Sequence, residues 1–123
     1  MSEEQRLRAL RGATTAKADE AGAIVGATER LLSEMIDRND VVPEDLVSMI
    51  FTTTADLSAE FPAAAARRLG LSAVPLLCAR EIAVPGSTAR CIRVLMHLYT
   101  ARAATDLRHV YLEGAEHLRT DLA

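Results

Sequence analysis

Strand-like runs and helix-like stripes alternate along this chain, and they do so within 123 residues. That alternation constrains the fold more than any single motif. RLRALRGATT (6–15) sets Leu7, Ala9 and Arg11 against Arg8 and Leu10, and Gly12 with the threonines marks its end; this predicts a strand. DEAGAIVGATERLLSEMIDRND (19–40) carries Ile24, Ala27, Leu31 and Met35 in a helical stripe with Ala23 and Leu32 beside it. Pro43-Glu44-Asp45 reads as a turn, and LVSMIFTTT (46–54) as a buried strand rich in β-branched residues. FPAAAARRLG (61–70) has Pro62 where a first helical turn wants it and Gly70 where a helix stops. AVPLLCAREIAV (73–84) reads as a strand. PGSTARCIRVLMHLYTA (85–101) places Ile92, Leu95, Met96 and Tyr99 at helical spacing, and RHVYLEG (108–114) closes as a strand with Val110 and Leu112 alternating against His109 and Tyr111. The predicted order is β, α, β, α, β, α, β. It calls for one α/β (α+β-like) layered domain over residues 1–123, with a mixed sheet covered by helices.

Within this pattern VPLLCAREIAVPG (74–86) is anomalous, because its apolar run holds Cys78, Arg80 and Glu81. A buried carboxylate needs a partner. Cys78 and Glu81 are three apart, so on a regular strand they face opposite ways. For one site to use both, the backbone must bulge or leave the strand between them.

Composition excludes several classes of function. A net charge of -3 and 3% aromatic content leave neither a polybasic surface nor a base-stacking platform, which argues against nucleic acid. No window has the length of apolar residues that spans a membrane, and the charged start MSEEQRLRAL lacks a signal-peptide core. Cys78 and Cys91 have neither metal-ligand nor disulfide-framework spacing, and His97, His109 and His117 are scattered. A reducing cytoplasm is the expected location. Phosphate-cradling glycine loops and nucleophile triads are missing.

Of 14 basic residues only Lys17 is a lysine. The plain explanation is genomic codon bias. The sharper one is that some arginines grip carboxylates with a planar fork. Arg11 closes the first strand, Arg93 falls beside the apolar stripe of the expected last helix, and Arg119 lies in the tail.

LRGATT (10–15), FPAAAARRLG (61–70), VPLLCAREIAVPG (74–86), CIRVLMHL (91–98) and RHVYLEGAEHLRTDL (108–122) together resemble the monofunctional, AroH-type chorismate mutases, a small homotrimeric α/β class. The resemblance runs in order over nearly the whole chain. It implies a trimer of pseudo-α/β-barrel form, with active sites between subunits. It also implies an isomerase of the shikimate pathway that converts chorismate to prephenate, on the route to phenylalanine and tyrosine. That Claisen rearrangement needs no cofactor, metal or covalent intermediate. By the family pattern Arg93 would donate to the ether oxygen as it becomes anionic, and Arg11 and Tyr111 would hold the enolpyruvyl carboxylate. Glu81 and Cys78 would meet the ring hydroxyl, Phe61 and Leu118 would supply apolar walls, and Arg67 and Arg119 would line the mouth. The neighbouring subunit would supply the Phe61–Arg67 side.

The chain departs from the pattern in places. Ala64 stands where family members often carry a lysine, Leu77 replaces a small polar residue, the turn around Gly70 is a residue shorter, and the tail ends soon after Arg119. Two other readings stay open on the residues alone. One is a trimeric α/β enzyme acting on another small carboxylate, such as an imine hydrolase. The other is a non-catalytic regulatory module that keeps an anion pocket.

Overall fold

The computed structural model describes residues 4–122, with side chains up to Leu118 at the C-terminal end. Its strands are β1 (Arg6–Thr15), β2 (Leu46–Thr53), β3 (Leu76–Arg80), β4 (Cys91–Thr100) and β5 (Val110–Tyr111), and its helices are α1 (Ala21–Arg38) and α2 (Ala64–Arg68). The strands form one mixed sheet in the order β3-β2-β4-β1-β5. β4 runs antiparallel to both β1 and β2, whereas β3 pairs parallel with β2 and β5 parallel with β1.

Both helices lie on one face of this sheet. Leu31, Leu32 and Met35 of α1 and Ala65 and Ala66 of α2 share a core with Leu10, Met49, Phe51, Val94, Met96 and Leu98 from the strands. α1 buries Ile24, Val25, Thr28, Leu31, Leu32 and Met35, a stripe one helix face wide. It sits close to β1: a Cβ on Gly12 would lie 2.4 Å from the Met35 sulfur. Asn39 finishes the helix. Its amide nitrogen donates to the carbonyls of Met35 and Arg108, both at 2.9 Å, and its oxygen accepts from the Arg108 N–H at 2.7 Å. One buried side chain thus ties the end of α1 to the segment that enters β5. α2 ends as its sequence predicts, with Gly70 at φ 79° and its N–H on the Arg67 carbonyl.

The structure corrects the expected helix over 85–101. Residues 91–100 are β4, at the centre of the sheet, so the order is β, α, β, α, β, β, β. Ile92, Val94, Met96 and Leu98 are all buried and alternate with the more exposed Arg93, Leu95, His97 and Tyr99. The helical spacing of Ile92, Leu95, Met96 and Tyr99 arose because Leu95 and Tyr99, on the outer face, are themselves apolar. Arg93 is therefore a strand residue, not a helical one. The strand expected over 73–84 is shorter, because beyond Arg80 the chain turns, with the Val84 N–H on Ile82 and the Ser87 N–H on Val84. Likewise β5 pairs through two residues only, and Glu113–Leu122 coils into 3₁₀ turns.

Candidate active site

Among the described residues the face of the sheet opposite the helices is covered only at its β1–β5 end, where Ala115 and Leu118 of the 3₁₀ segment pack on Ala13 and Tyr111. Leu7, Val47, Leu77 and Tyr99 stand 52%, 38%, 61% and 46% exposed there. Strand register decides which polar side chains meet on it. Tyr111 pairs with Ala13, Ala13 with Arg93, and Arg93 with Thr52. These four residues form one row across β5, β1, β4 and β2, pointing to the same side. The next row holds Arg11, Leu95 and Ile50. Ala13 is small, so the row dips between Tyr111 and Arg93. A cavity of about 370 Å³ opens there, lined by Arg11, Ala13, Ile50, Thr52, Glu81, Arg93, Tyr111 and Leu118 among others.

Glu81 reaches this cavity from just beyond β3. Its N–H extends the parallel ladder to the Thr53 carbonyl at 2.9 Å, and its carboxylate accepts from the Thr52 hydroxyl. The same oxygen lies 3.3 Å from Nε of Arg93, with 22% of the Glu81 side chain and 45% of the Arg93 side chain exposed. The carboxylate therefore has the partner that its apolar surroundings demand, and it holds the guanidinium through Nε. Tyr111 differs: its buried hydroxyl has no hydrogen-bond partner among the described residues. Burial pushes this phenol above its usual range, against the pull of Arg11 and Arg93, so it stays protonated as a donor at neutral pH. An orphaned buried hydroxyl costs about 1–3 kcal/mol, and an acceptor arriving in the cavity would recover it. Leu118, from the 3₁₀ segment, adds an apolar wall.

Five of the residues singled out from sequence thus converge: Arg93, Glu81, Arg11, Tyr111 and Leu118. Cys78 does not join them within this chain. β3 stays regular, with Cys78 opposite Phe51, Ala79 opposite Thr52 and Arg80 opposite Thr53. Cys78 therefore faces the helix side with Phe51, and Glu81 the open side with Thr52. No bulge brings Cys78 and Glu81 to one site in one chain. Cys78 instead lines a second cavity, of about 370 Å³, with Phe61, Pro62 and Arg80. Phe61 is 64% exposed there, and Arg67 is exposed on α2. Arg80 donates to the carbonyls of Thr54 and Leu57 at 3.0 Å. It helps shape the loop that carries Phe61, together with Asp19, which accepts from the Ser58 and Ala59 N–H groups. The side chain of Arg119 lies outside the described residues.

Sequence reading missed Thr52 and Ile50. The signal was available: a threonine two residues after an isoleucine in a strand puts a hydroxyl on the same face. It also gave His109 no part beyond an alternating position. Among the described residues no cluster of His, Cys, Asp and Glu could hold a metal ion, and no helix is long and apolar enough to cross a membrane.

Comparison with known proteins adds what geometry cannot. Residues 7–122 match the family model described as chorismate mutase type I. The chorismate mutase AroH of Thermus thermophilus is 48% identical over 117 residues, covering 94% of this chain and 96% of the relative. That of Bacillus subtilis is 43% identical over 118 residues, covering 95% and 93%. A solved chorismate mutase from Clostridium thermocellum superposes with a TM-score of 0.87 at 49% identity, over 89% of this chain and 97% of that one. Neither the imine hydrolase nor the regulatory reading finds support among these relatives. With sequence and backbone agreeing over almost its full length, this chain belongs to the type I chorismate mutases.

Proposed function

We propose that this chain is an isomerase that rearranges chorismate to prephenate, and that it does so in the cavity on the open face of the sheet. The observation that carries this reading is the convergence of two guanidiniums, one carboxylate and one orphaned phenol on a single cavity. Chorismate offers the matching groups: two carboxylates, an ether oxygen and a ring hydroxyl. In the rearrangement the ether C–O bond breaks while a C–C bond forms, and no proton is transferred. The protein must therefore supply charge and shape rather than acid–base chemistry. Negative charge grows on the ether oxygen in the transition state. Arg93, a permanent cation held by Glu81, interacts more strongly with that oxygen than with the ground-state ether, and only such a difference accelerates the step. Arg11 and the Tyr111 hydroxyl take the enolpyruvyl carboxylate, and Glu81 takes the ring hydroxyl. Ile50 and Leu118 press the flexible arm toward its reactive pose.

The site is completed by a second copy of the chain within a trimer. Support comes from the exposed apolar side chains on the open face, and from Ile82 at 83% and Val84 at 57% exposure beside Glu81. Phe61 and Cys78, which stand apart from their own chain's Arg11 and Arg93, belong to the side that a neighbour contributes, with Arg67 at its mouth. By the family resemblance, Arg119 joins Arg67 there. The enzyme acts in the cytoplasm, on the route to phenylalanine and tyrosine.

The test is direct. Purified protein mixed with chorismate should deplete its ultraviolet absorbance and form prephenate far faster than buffer alone. No acceleration by folded protein would overturn the reading. Mixed oligomers carrying Arg93→Ala on some chains and Arg67→Ala on others should recover activity that neither variant has alone. If they do not, the sites are not shared.

A further inference from the structure

β5 is a precarious platform for a catalytic side chain. It pairs with β1 through two residues, Val110 opposite Gly12 and Tyr111 opposite Ala13. Yet this short strip sets Tyr111 against Arg11 and Arg93 in the cavity. At its downstream end the Leu112 N–H donates to the Ala13 carbonyl at 2.9 Å. At its upstream end no backbone carbonyl receives the Arg11 N–H. The imidazole of His109 does, with Nδ1 accepting at 2.9 Å. A side chain thus takes the place of a strand partner at the residue whose guanidinium enters the site. Its own position is set by Asn39, which grips both backbone groups of the preceding Arg108.

We propose that His109 is a positioning residue for Arg11, and that its Nδ1 must be unprotonated for the site to hold its working geometry. This rests on the mutase reading above. A neutral imidazole with its proton on Nε2 can accept from the Arg11 N–H; the imidazolium, with both nitrogens donating, cannot. Protonation would break the bond and set a second cation beside Arg11. The surroundings oppose that event. Burial first, and Arg11 second, hold the imidazole below its ordinary value of 6.5. α1 faces this segment with the neutral Asn39, and β5 carries Val110 and the protonated Tyr111. Asp106 and Arg108, the nearest charged residues in sequence, are exposed. Because the rearrangement moves no proton, loss of activity in mild acid reports on groups that hold the site.

The experiment follows kcat/KM for chorismate from pH 8 to pH 5 in the wild-type enzyme, His109→Asn and His109→Leu. Imidazole nitrogen shifts of the wild-type enzyme are read by NMR alongside. Asparagine offers an acceptor that does not titrate in this range. We expect the wild-type value to fall on the acid side, and His109→Asn to stay within about threefold of wild type at pH 7.5 and lose that acid limb. His109→Leu, with the Arg11 N–H left unpaired, should drop about tenfold, chiefly through KM. The NMR should show Nδ1 unprotonated at neutral pH. An acid limb unchanged in His109→Asn, or a neutral tautomer with its proton on Nδ1, overturns the proposal. Should His109→Leu fail to fold, the asparagine variant and the tautomer decide alone. A wild-type protein without mutase activity would sink the functional reading, while the tautomer would still test the His109 bond.

Discussion

The two faces of this sheet are built from the same strands, one residue apart, and they obey different rules. On the helix side Leu10, Met49, Phe51, Met96 and Leu98 are at most 1% exposed. There, each position is fixed by volume. On the open side Arg11, Thr52, Arg93 and Tyr111 sit at intervening positions, with Glu81 beside them. There, each position is fixed by what it can donate or accept. The contrast shows how a chain this small carries an active site without weakening its core: strand alternation keeps the two tasks on opposite sides of one backbone.

That division can be broken from the helix side first. Phe51→Ala removes a fully buried ring and should cost about 3–5 kcal/mol of stability, measured by urea unfolding, while activity per folded molecule persists. A loss below about 1 kcal/mol would mean the core is not organised around this side. Gly12→Ala is subtler. Its Cβ would meet the Met35 sulfur, and overpacking of this kind costs about 1–3 kcal/mol. Met35→Ala in the same chain should relieve part of that cost; strictly additive losses in a double-mutant cycle would place the strain elsewhere.

How much of this was legible in sequence differs between the faces for the same reason. The helix stripe of α1, the stop at Gly70 and the apolar β2 were readable because burial leaves periodic traces. β4 was misread because Leu95 and Tyr99 add apolar residues on its outer face, which turns strict alternation into a pattern that also fits a helix. The β-branched Ile92 and Val94 were the better guide. At the site, Glu81 stood out as a carboxylate in an apolar run and Arg11 and Arg93 by their positions, but their roles, and Tyr111 altogether, came through resemblance to a family. Spacing alone did say that Cys78 and Glu81 face opposite ways, and the regular β3 agrees. The imidazole of His109 as a strand partner left no sequence trace, because it depends on a contact 98 residues apart.

Smaller effects sharpen the comparison. The folded His109 holds its proton less tightly than the unfolded chain, so the unfolded state binds more protons in the intervening window. Its contribution to stability is therefore full above the ordinary value of 6.5 and lost as pH falls through the folded value. The melting temperature should decline over that range in the wild-type protein and flatten in His109→Asn. An identical decline in both would assign it to other groups. Least in size is the behaviour of Cys91, 1% exposed two residues before Arg93 on the same face of β4, whose thiol burial pushes up. At pH 7 it should react with a thiol reagent only as fast as the protein unfolds. Rapid labelling of Cys91 in native protein would show that the packing beside Arg93 is open.

Arg93→Lys tests the central claim most directly, because it keeps a positive charge on the open face and removes only the fork that points it. Turnover should fall by about 10² or more with chorismate, at a melting temperature within about 2 °C of wild type. A fall of less than about tenfold, only ~1.4 kcal/mol, would contradict the role given to Arg93. So would an equal loss of turnover and stability, which would mean the two faces are not separate after all.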